Sequence, residues 1–371
     1  MIKNILILGG TGAMGKALVD NLAECGIAVT VTSRQDREAV SNVTYVKGDA
    51  HDLDFLKEVI ARCPVWDAIV DFMVYSTDEF SLRVEMLLAA TKQYIYISSA
   101  RVYAQSDSPI TENTPRLLEV CQDEEYLKTD EYALAKARQE NLLLQQKSDN
   151  WTIIRPSITY NVNRLQLGVL EKEDWLYRAL HGRSIVFSDD IADKLTAMTM
   201  GNDVAKGICA VIGQAAALGQ VFHITEPCSY KWSDILTVYL GVLKECTGFT
   251  PKVITTAKSV CFKLPGRRYQ IIYCRYFNRS FDNSKIAEFI DVDHFRDAKS
   301  GLEECLKRFL ENPQFKDINW ALEALHDSAA GERTSLSEIP TLKNKVKYIL
   351  YRNHMAFVVG ILKRIIKRRH G

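Results

Sequence analysis

Apolar positions in the first 160 residues come in short blocks separated by longer amphipathic stretches. Ile5–Leu8 precedes a helical pattern from Lys16, Val29–Val31 precedes one over 52–62, and Ala68–Phe72 precedes one over 78–91. The rhythm continues with Tyr94–Ile97, a helical pattern over 130–147, and then Trp151–Ile154. Short apolar blocks suit strands buried on both faces, whereas spacings of three and four suit helices with one covered face. Their alternation predicts right-handed crossovers and a mostly parallel sheet covered on both sides, a doubly wound α/β domain over residues 1–160.

After Pro156 the alternation weakens. Ser184–Phe187 and Gln220–Ile224 stand as isolated strand candidates in a smaller mixed lobe over 161–330, partly interleaved, with later strands expected to rejoin the sheet. Residues 331–371 form a basic amphipathic C-terminal extension. Within 343–369, Val358, Ile361, Leu362 and Ile365 fall on one helical stripe, with Lys363, Arg364, Lys367 and Arg368 largely off it. The longest apolar run there, Met355–Leu362, is eight residues, too short to span a bilayer.

Charge sharpens that division. The chain of 371 residues carries a net charge of +1, yet residues 341–371 hold nine Lys/Arg and no Asp/Glu, leaving 38 basic against 46 acidic residues elsewhere. A basic amphipathic helix reads as an anchor for an anionic membrane surface. The alternative dock is the acidic body of the same chain, or of a second subunit in a homodimer. No base-reading module accompanies the basic tail, so nucleic acid is not expected as a partner. The apolar run Ile5–Leu8 ends at Gly9 and Gly10, far short of a secretory signal. The expected location is therefore the cytoplasm, with peripheral attachment at the inner face of the membrane if the tail binds lipid. Nine cysteines are scattered singly without C-x-x-C, and seven histidines without H-E-x-x-H, so neither a disulfide framework nor a catalytic metal is expected.

Candidate chemistry begins at the first strand-to-helix turn, Gly9-Gly10-Thr11-Gly12-Ala13-Met14-Gly15. A strand that turns into a helix through small residues presents backbone N–H groups at the positive end of the helix, where a pyrophosphate can sit. Dinucleotide binding follows. The second strand ends about 20 residues farther on, where the adenosine ribose is read; this chain offers Ser33 and Arg34 there, with Arg37 nearby. Two guanidinium groups suit a 2′-phosphate, so NADP is favoured over NAD, the alternative being that Asp36 reads a 2′-hydroxyl. Asp49, after the third strand, could accept from the adenine amino group or simply cap its own loop.

Tyr132 and Lys136 of YALAK lie four apart in a helical stretch, which puts phenol and ammonium on one face. A free tyrosine has a pKa near 10, so service as a base near neutrality needs a nearby cation. Ser98 and Ser99 end the Tyr94–Ile97 run at the carboxyl end of a strand, where open α/β sheets bind ligands, and either could be an ordinary turn residue.

In this order, the glycine turn, SSARVY, YALAK and IIRPSITYN (153–161) resemble the extended short-chain dehydrogenase/reductase superfamily, specifically its NAD-dependent epimerase/dehydratase family. The resemblance covers about residues 1–310, helped by GNDVAKGI (201–208), GQVFHITEP (219–227) and FDNSKI (281–286). It implies a Rossmann domain binding NAD(P), with Tyr132 as general base and acid, Lys136 lowering its pKa and holding the nicotinamide ribose, and Ser99 bonding a substrate oxygen. Pro156 joins the implied cofactor contacts. Dehydratases of this fold usually carry an acidic pair after that serine, whereas Ala100 and Arg101 follow Ser99 here, which leaves epimerase or ketoreductase. A nucleotide sugar is the implied substrate. Departures stand at Asn161, where the family often has glycine, and at Lys194, where it often has arginine. SITYN and VDFMVY also resemble divergent members, some of which bind nucleic acid, so a noncatalytic regulatory or RNA-binding protein is the competing class.

Overall fold

The computed structural model describes residues 2–264 and 266–355. Six strands arise where the apolar blocks and the third-strand position lie: β1 (Asn4–Leu8), β2 (Ala28–Ser33), β3 (Val43–Lys47), β4 (Ala68–Asp71), β5 (Tyr94–Ile97) and β6 (Trp151–Pro156). With the strand Gln220–Ile224 beside β6, they make one parallel sheet ordered Gln220–Ile224, β6, β5, β4, β1, β2, β3.

The sheet is buried on both sides because its residues alternate between two cores. Ile5, Ile7, Val29, Val31, Ile95 and Ile154 point to one face, against Leu18, Leu22, Val204 and Ile208 of the helices Ala13–Glu24 and Gly201–Val211. Leu6, Leu8, Ile69, Tyr94, Tyr96 and Ile153 point to the other, against Leu56, Leu87 and Leu143. Each fully buried aliphatic side chain contributes roughly 1.5–3 kcal/mol, so this double-sided pattern fixes the register.

The helical stretch expected over 78–91 is two short helices, Thr77–Ser81 and Val84–Ala89. Arg83 causes the break. Its buried guanidinium takes the Glu79 carbonyl that a continuing helix would bond, and its own N–H turns to Phe80 at 3.1 Å instead.

The chain divides into two units. The first comprises Met1–Asn163, Leu195–Tyr230 and Phe277–Gly301, and its seven-stranded sheet draws strands from the first two of these stretches. The second comprises Arg164–Lys194, Lys231–Tyr276 and Leu302–Gly371. It contains the parallel strand pair Ile185–Ser188 and Val253–Thr256 and the helices Lys172–Leu180, Trp232–Thr247, Trp320–Ala330 and Leu342–Arg352.

Within this second unit, Arg178 is fully buried and donates to Glu323 Oε1 at 2.7 Å, Asp327 Oδ1 at 2.8 Å and Glu332 Oε2 at 2.8 Å. Asp327 Oδ2 in turn accepts from the Tyr348 hydroxyl at 2.7 Å and from Thr334. Tyr348 lies on Leu342–Arg352, so the described front part of the predicted basic tail is docked on Trp320–Ala330. The stripe from Val358 to Ile365, on which the membrane expectation rests, lies outside the described residues. Among the described residues no helix is long and apolar enough to cross a membrane.

Candidate active site

The chain runs from β1 outward to β2 and β3, then returns to the other side of β1 with β4. Ligands of open α/β sheets bind at such a switch point, outside the carboxyl ends of the strands. The segments following Leu8, Ser33 and Asp71 meet there around a cavity of about 280 Å³ lined by Gly9, Thr11, Thr32, Ser33, Arg34, Asp49 and Met73 among others.

Gly9 turns at φ +71°, a conformation other residues rarely adopt, and its N–H donates to Thr32 Oγ1 at 3.0 Å. Gly10 and Gly15 are needed for packing. A Cβ on Gly15 would lie 2.7 Å from the Gly10 Cα, and one on Gly10 would lie 2.6 Å from Ile7 Cγ2. Gly12 differs, because a Cβ there would meet nothing within 4 Å. It caps the helix Ala13–Glu24 in extended backbone without a side-chain bond, and its carbonyl accepts from Lys16 N at 3.0 Å. The N–H groups of Ala13, Met14 and Gly15 therefore have no partner inside the helix. An uncapped helix start facing open space is what an anionic pyrophosphate fits.

At the ribose end, Arg37 Nε donates to Ser33 Oγ at 3.3 Å, and its guanidinium lies 5.8 Å from the Tyr45 ring centroid. Arg34 is exposed at the cavity wall, and Asp36 is paired with Lys47. Asp49 lines the cavity while its carboxylate accepts from His51 N at 3.0 Å. Pro156 is buried at the end of β6, in register with Ile224.

The catalytic candidates gather at the end of β5. Lys136 is 2% exposed; its Nζ donates to Ile97 O at 2.8 Å and Met73 O at 3.4 Å, and lies 4.5 Å from the Tyr96 ring centroid. Burial pushes its pKa down to about 8, opposed by the charges of Asp71 and then Glu140. Ser99, two residues beyond Ile97, is buried and its Oγ accepts from Arg101 N at 3.2 Å. Tyr132 opens the helix Tyr132–Leu144, whose start is capped by Glu131 accepting from Ala133 N at 2.9 Å. Arg101 joins the two parts: its guanidinium lies 5.2 Å from the Tyr132 ring centroid and pairs with Glu131.

Two buried acids were not singled out from the sequence. Glu140 accepts from Ser98 Oγ at 2.6 Å, Arg155 Nη2 at 2.7 Å and Arg116 Nη1 at 2.9 Å. It stands four residues after Lys136, so the stripe Tyr132, Lys136, Glu140 was there to be read. Asp71 ends β4, accepts from Met73 N at 2.9 Å and the Tyr94 hydroxyl at 2.8 Å, and is fully buried. Its signal was an acid closing the otherwise apolar block AIVD.

Comparison with known proteins agrees with this geometry. Residues 9–200 match a family model described as NAD(P)H-binding. The chloroplast stem-loop binding protein of 41 kDa b from Arabidopsis thaliana is 28% identical over 239 residues, 60% of this chain. The chain spans 58% of that relative's length. Among solved structures, an epimerase from Methanothermobacter thermautotrophicus superposes with a TM-score of 0.62 at 18% identity, over 84% of this chain and 93% of that one. A UDP-glucuronic acid 4-epimerase from Bacillus cereus, in complex with UDP-glucuronic acid and NAD, has a TM-score of 0.62 at 15% identity, over 84% of this chain and all of that one. The chain thus belongs to the NAD(P)H-binding family and shares the fold of these two epimerases.

Proposed function

Because the chain belongs to the NAD(P)H-binding family, we propose that it is an NAD(P)-dependent epimerase of a nucleotide sugar, working through a transient ketone with Tyr132 as general base and acid. The observation that carries this reading is the buried ammonium of Lys136 on Ile97 O, two residues from Ser99 and one helical turn from Tyr132. A desolvated lysine at the carboxyl end of β5, on the same helix as a tyrosine one turn earlier, is the kind of perturbed group that functional sites favour.

In this reading the glycine turn and the N–H groups of Ala13, Met14 and Gly15 hold the pyrophosphate, and Lys136 holds the nicotinamide ribose. A bound nicotinamide ring supplies the chemistry of taking up and giving back a hydride. Ser99 bonds the sugar oxygen and fixes it against the Tyr132 phenol. Tyr132 takes the hydroxyl proton as the carbon becomes a ketone and returns it when the alcohol re-forms, after the sugar has presented its opposite face. Lys136 favours the deprotonated phenol by its charge.

NADP is the proposed form, supported by Arg34 at the cavity and by Asp36 being engaged with Lys47. Replacing Arg34 with Ala should cost NADP affinity roughly tenfold while sparing NAD, read by calorimetric titration of both; an unchanged preference removes the 2′-phosphate assignment. Reduction of a sugar or other carbonyl is the nearest alternative chemistry. The Arabidopsis relative, a stem-loop binding protein, favours as a second reading a noncatalytic member that holds structured RNA.

Tyr132→Phe separates the two classes. Turnover of a nucleotide sugar should fall by about 10²–10⁴ with dinucleotide affinity kept, whereas equal biological activity of the variant and the parent would overturn the enzyme reading.

A further inference from the structure

The buried charges around Lys136 do not balance in the way their positions first suggest. Two acids lie near its ammonium, Asp71 and Glu140. Glu140 is already committed: Arg155 binds both of its oxygens at 2.8 and 2.7 Å, Arg116 binds Oε2 at 2.9 Å, and Ser98 donates to Oε1 at 2.6 Å. Its one negative charge faces two guanidiniums. Asp71 has only neutral donors, the Met73 N–H and the Tyr94 hydroxyl, with the Tyr75 phenol also beside it. Of the two, Asp71 is the carboxylate whose charge no arginine takes up.

The backbone joins the same two residues. Asp71 Oδ1 holds the N–H of Met73, and the carbonyl of Met73 accepts from Lys136 Nζ. The same turn forms part of the cofactor cavity, which Phe72, Met73 and Val74 line, and a Cβ on Gly9 would lie 2.9 Å from Met73 Sδ. One short segment thus reaches the dinucleotide cavity, the glycine turn and the ammonium.

We propose that Asp71 is the positioning residue for Lys136: its carboxylate shapes the Asp71–Met73 turn that receives the ammonium and supplies the counter-charge that this buried cation otherwise lacks. The inference rests on the reading that Lys136 serves the cofactor. Burial drives both groups toward their neutral forms, raising Asp71 and lowering Lys136, and each one's charge opposes the shift of the other. The Tyr96 ring also faces the ammonium, its centroid 4.5 Å from Lys136 Nζ.

The sign of the consequence is fixed. Lys136 carries its charge below about pH 8 and loses it above, so dinucleotide affinity should decline as pH rises through that value. Asp71→Asn removes the counter-charge while keeping the shape, which moves the decline to lower pH by about 1–3 units. Tyr94→Phe, which removes one donor from the carboxylate, should move it less and in the same direction.

The test is calorimetric titration of the full-length protein with NADP and with NAD from pH 6 to 9.5, on the parent and both variants, with Lys136→Met as reference. A downward shift in Asp71→Asn and a flat profile in Lys136→Met are the expected results. Parent and Asp71→Asn profiles that coincide, or a decline that survives in Lys136→Met, overturn the proposal. Should Asp71→Asn not fold, Tyr94→Phe decides, and no shift there overturns it equally. Because the readout is binding, it stands apart from sugar turnover: a protein that turns over no sugar still gives these profiles.

Discussion

Among the described residues, each unit of this protein buries an ionic network, and the groups at the two centres carry opposite charge. In the first, the fully buried carboxylate of Glu140 sits between two guanidiniums, those of Arg116 and Arg155, and Arg116 also pairs with the partly exposed Glu119. In the second, the fully buried guanidinium of Arg178 sits among three carboxylates, those of Glu323, Asp327 and Glu332, and Arg183 at the edge also pairs with Glu323 and with Glu338. The geometries are of similar quality, but their failure modes differ. A buried carboxylate that loses its partner can take up a proton and become neutral, whereas an arginine cannot lose one in any protein. The network beside the helix Tyr132–Leu144 is therefore the unforgiving one, and the network under the helix Leu342–Arg352 has a way to relax.

Glu140→Ala should show the largest effect. It leaves Arg155 without its carboxylate and releases Ser98 next to Ser99, so we expect a loss of about 3–5 kcal/mol and loss of turnover, with the stability loss nearly constant between pH 5 and 8 in urea unfolding. Arg178→Met should cost less, and the cost should depend on pH. The orphaned acids then have raised pKa values in the folded state, so the folded form binds more protons than the unfolded one and stability falls as pH rises. The variant should accordingly lie closer to the parent at pH 5 than at pH 8; the same deficit at both would erase the distinction between the networks. Tyr348→Phe is the mildest probe. It takes one hydroxyl from Asp327, with an expected loss of about 2 kcal/mol and earlier hydrogen exchange in Leu342–Arg352, while dinucleotide binding stays unchanged.

What the sequence disclosed and what it hid divide along the same physical line. The glycine turn, the apolar blocks and the Tyr132–Lys136 pair are local patterns, each complete within about ten residues, and the structure places them as strand end, turn and helix face. Asp71, Glu140 and Arg101 act through partners 23 to 30 positions away or nearby in space only after folding: Tyr94 for Asp71, Arg116 for Glu140, Glu131 for Arg101. No periodicity marks such pairings. The split of the 78–91 stretch belongs to the same class, since Arg83 interrupts it partly by reaching the carbonyl of His51 at 3.1 Å. In the C-terminal segment, a tyrosine at 348 reads as one more apolar position until the aspartate beneath it is seen.

The three-part construction of the first unit bears on how the polypeptide reaches its native state. While a ribosome is still producing residues 161–219, β6 has no neighbour on its outer side, and the hydrogen-bonding groups of Trp151, Ile153 and Arg155 await the strand Gln220–Ile224. The last portion of that unit, Phe277–Gly301, emerges later still. A nascent chain cut short at residue 160 would carry the glycine turn, SSARVY and YALAK and yet expose a sticky sheet margin, which makes it a substrate for chaperones or aggregation before it is a dinucleotide-binding module.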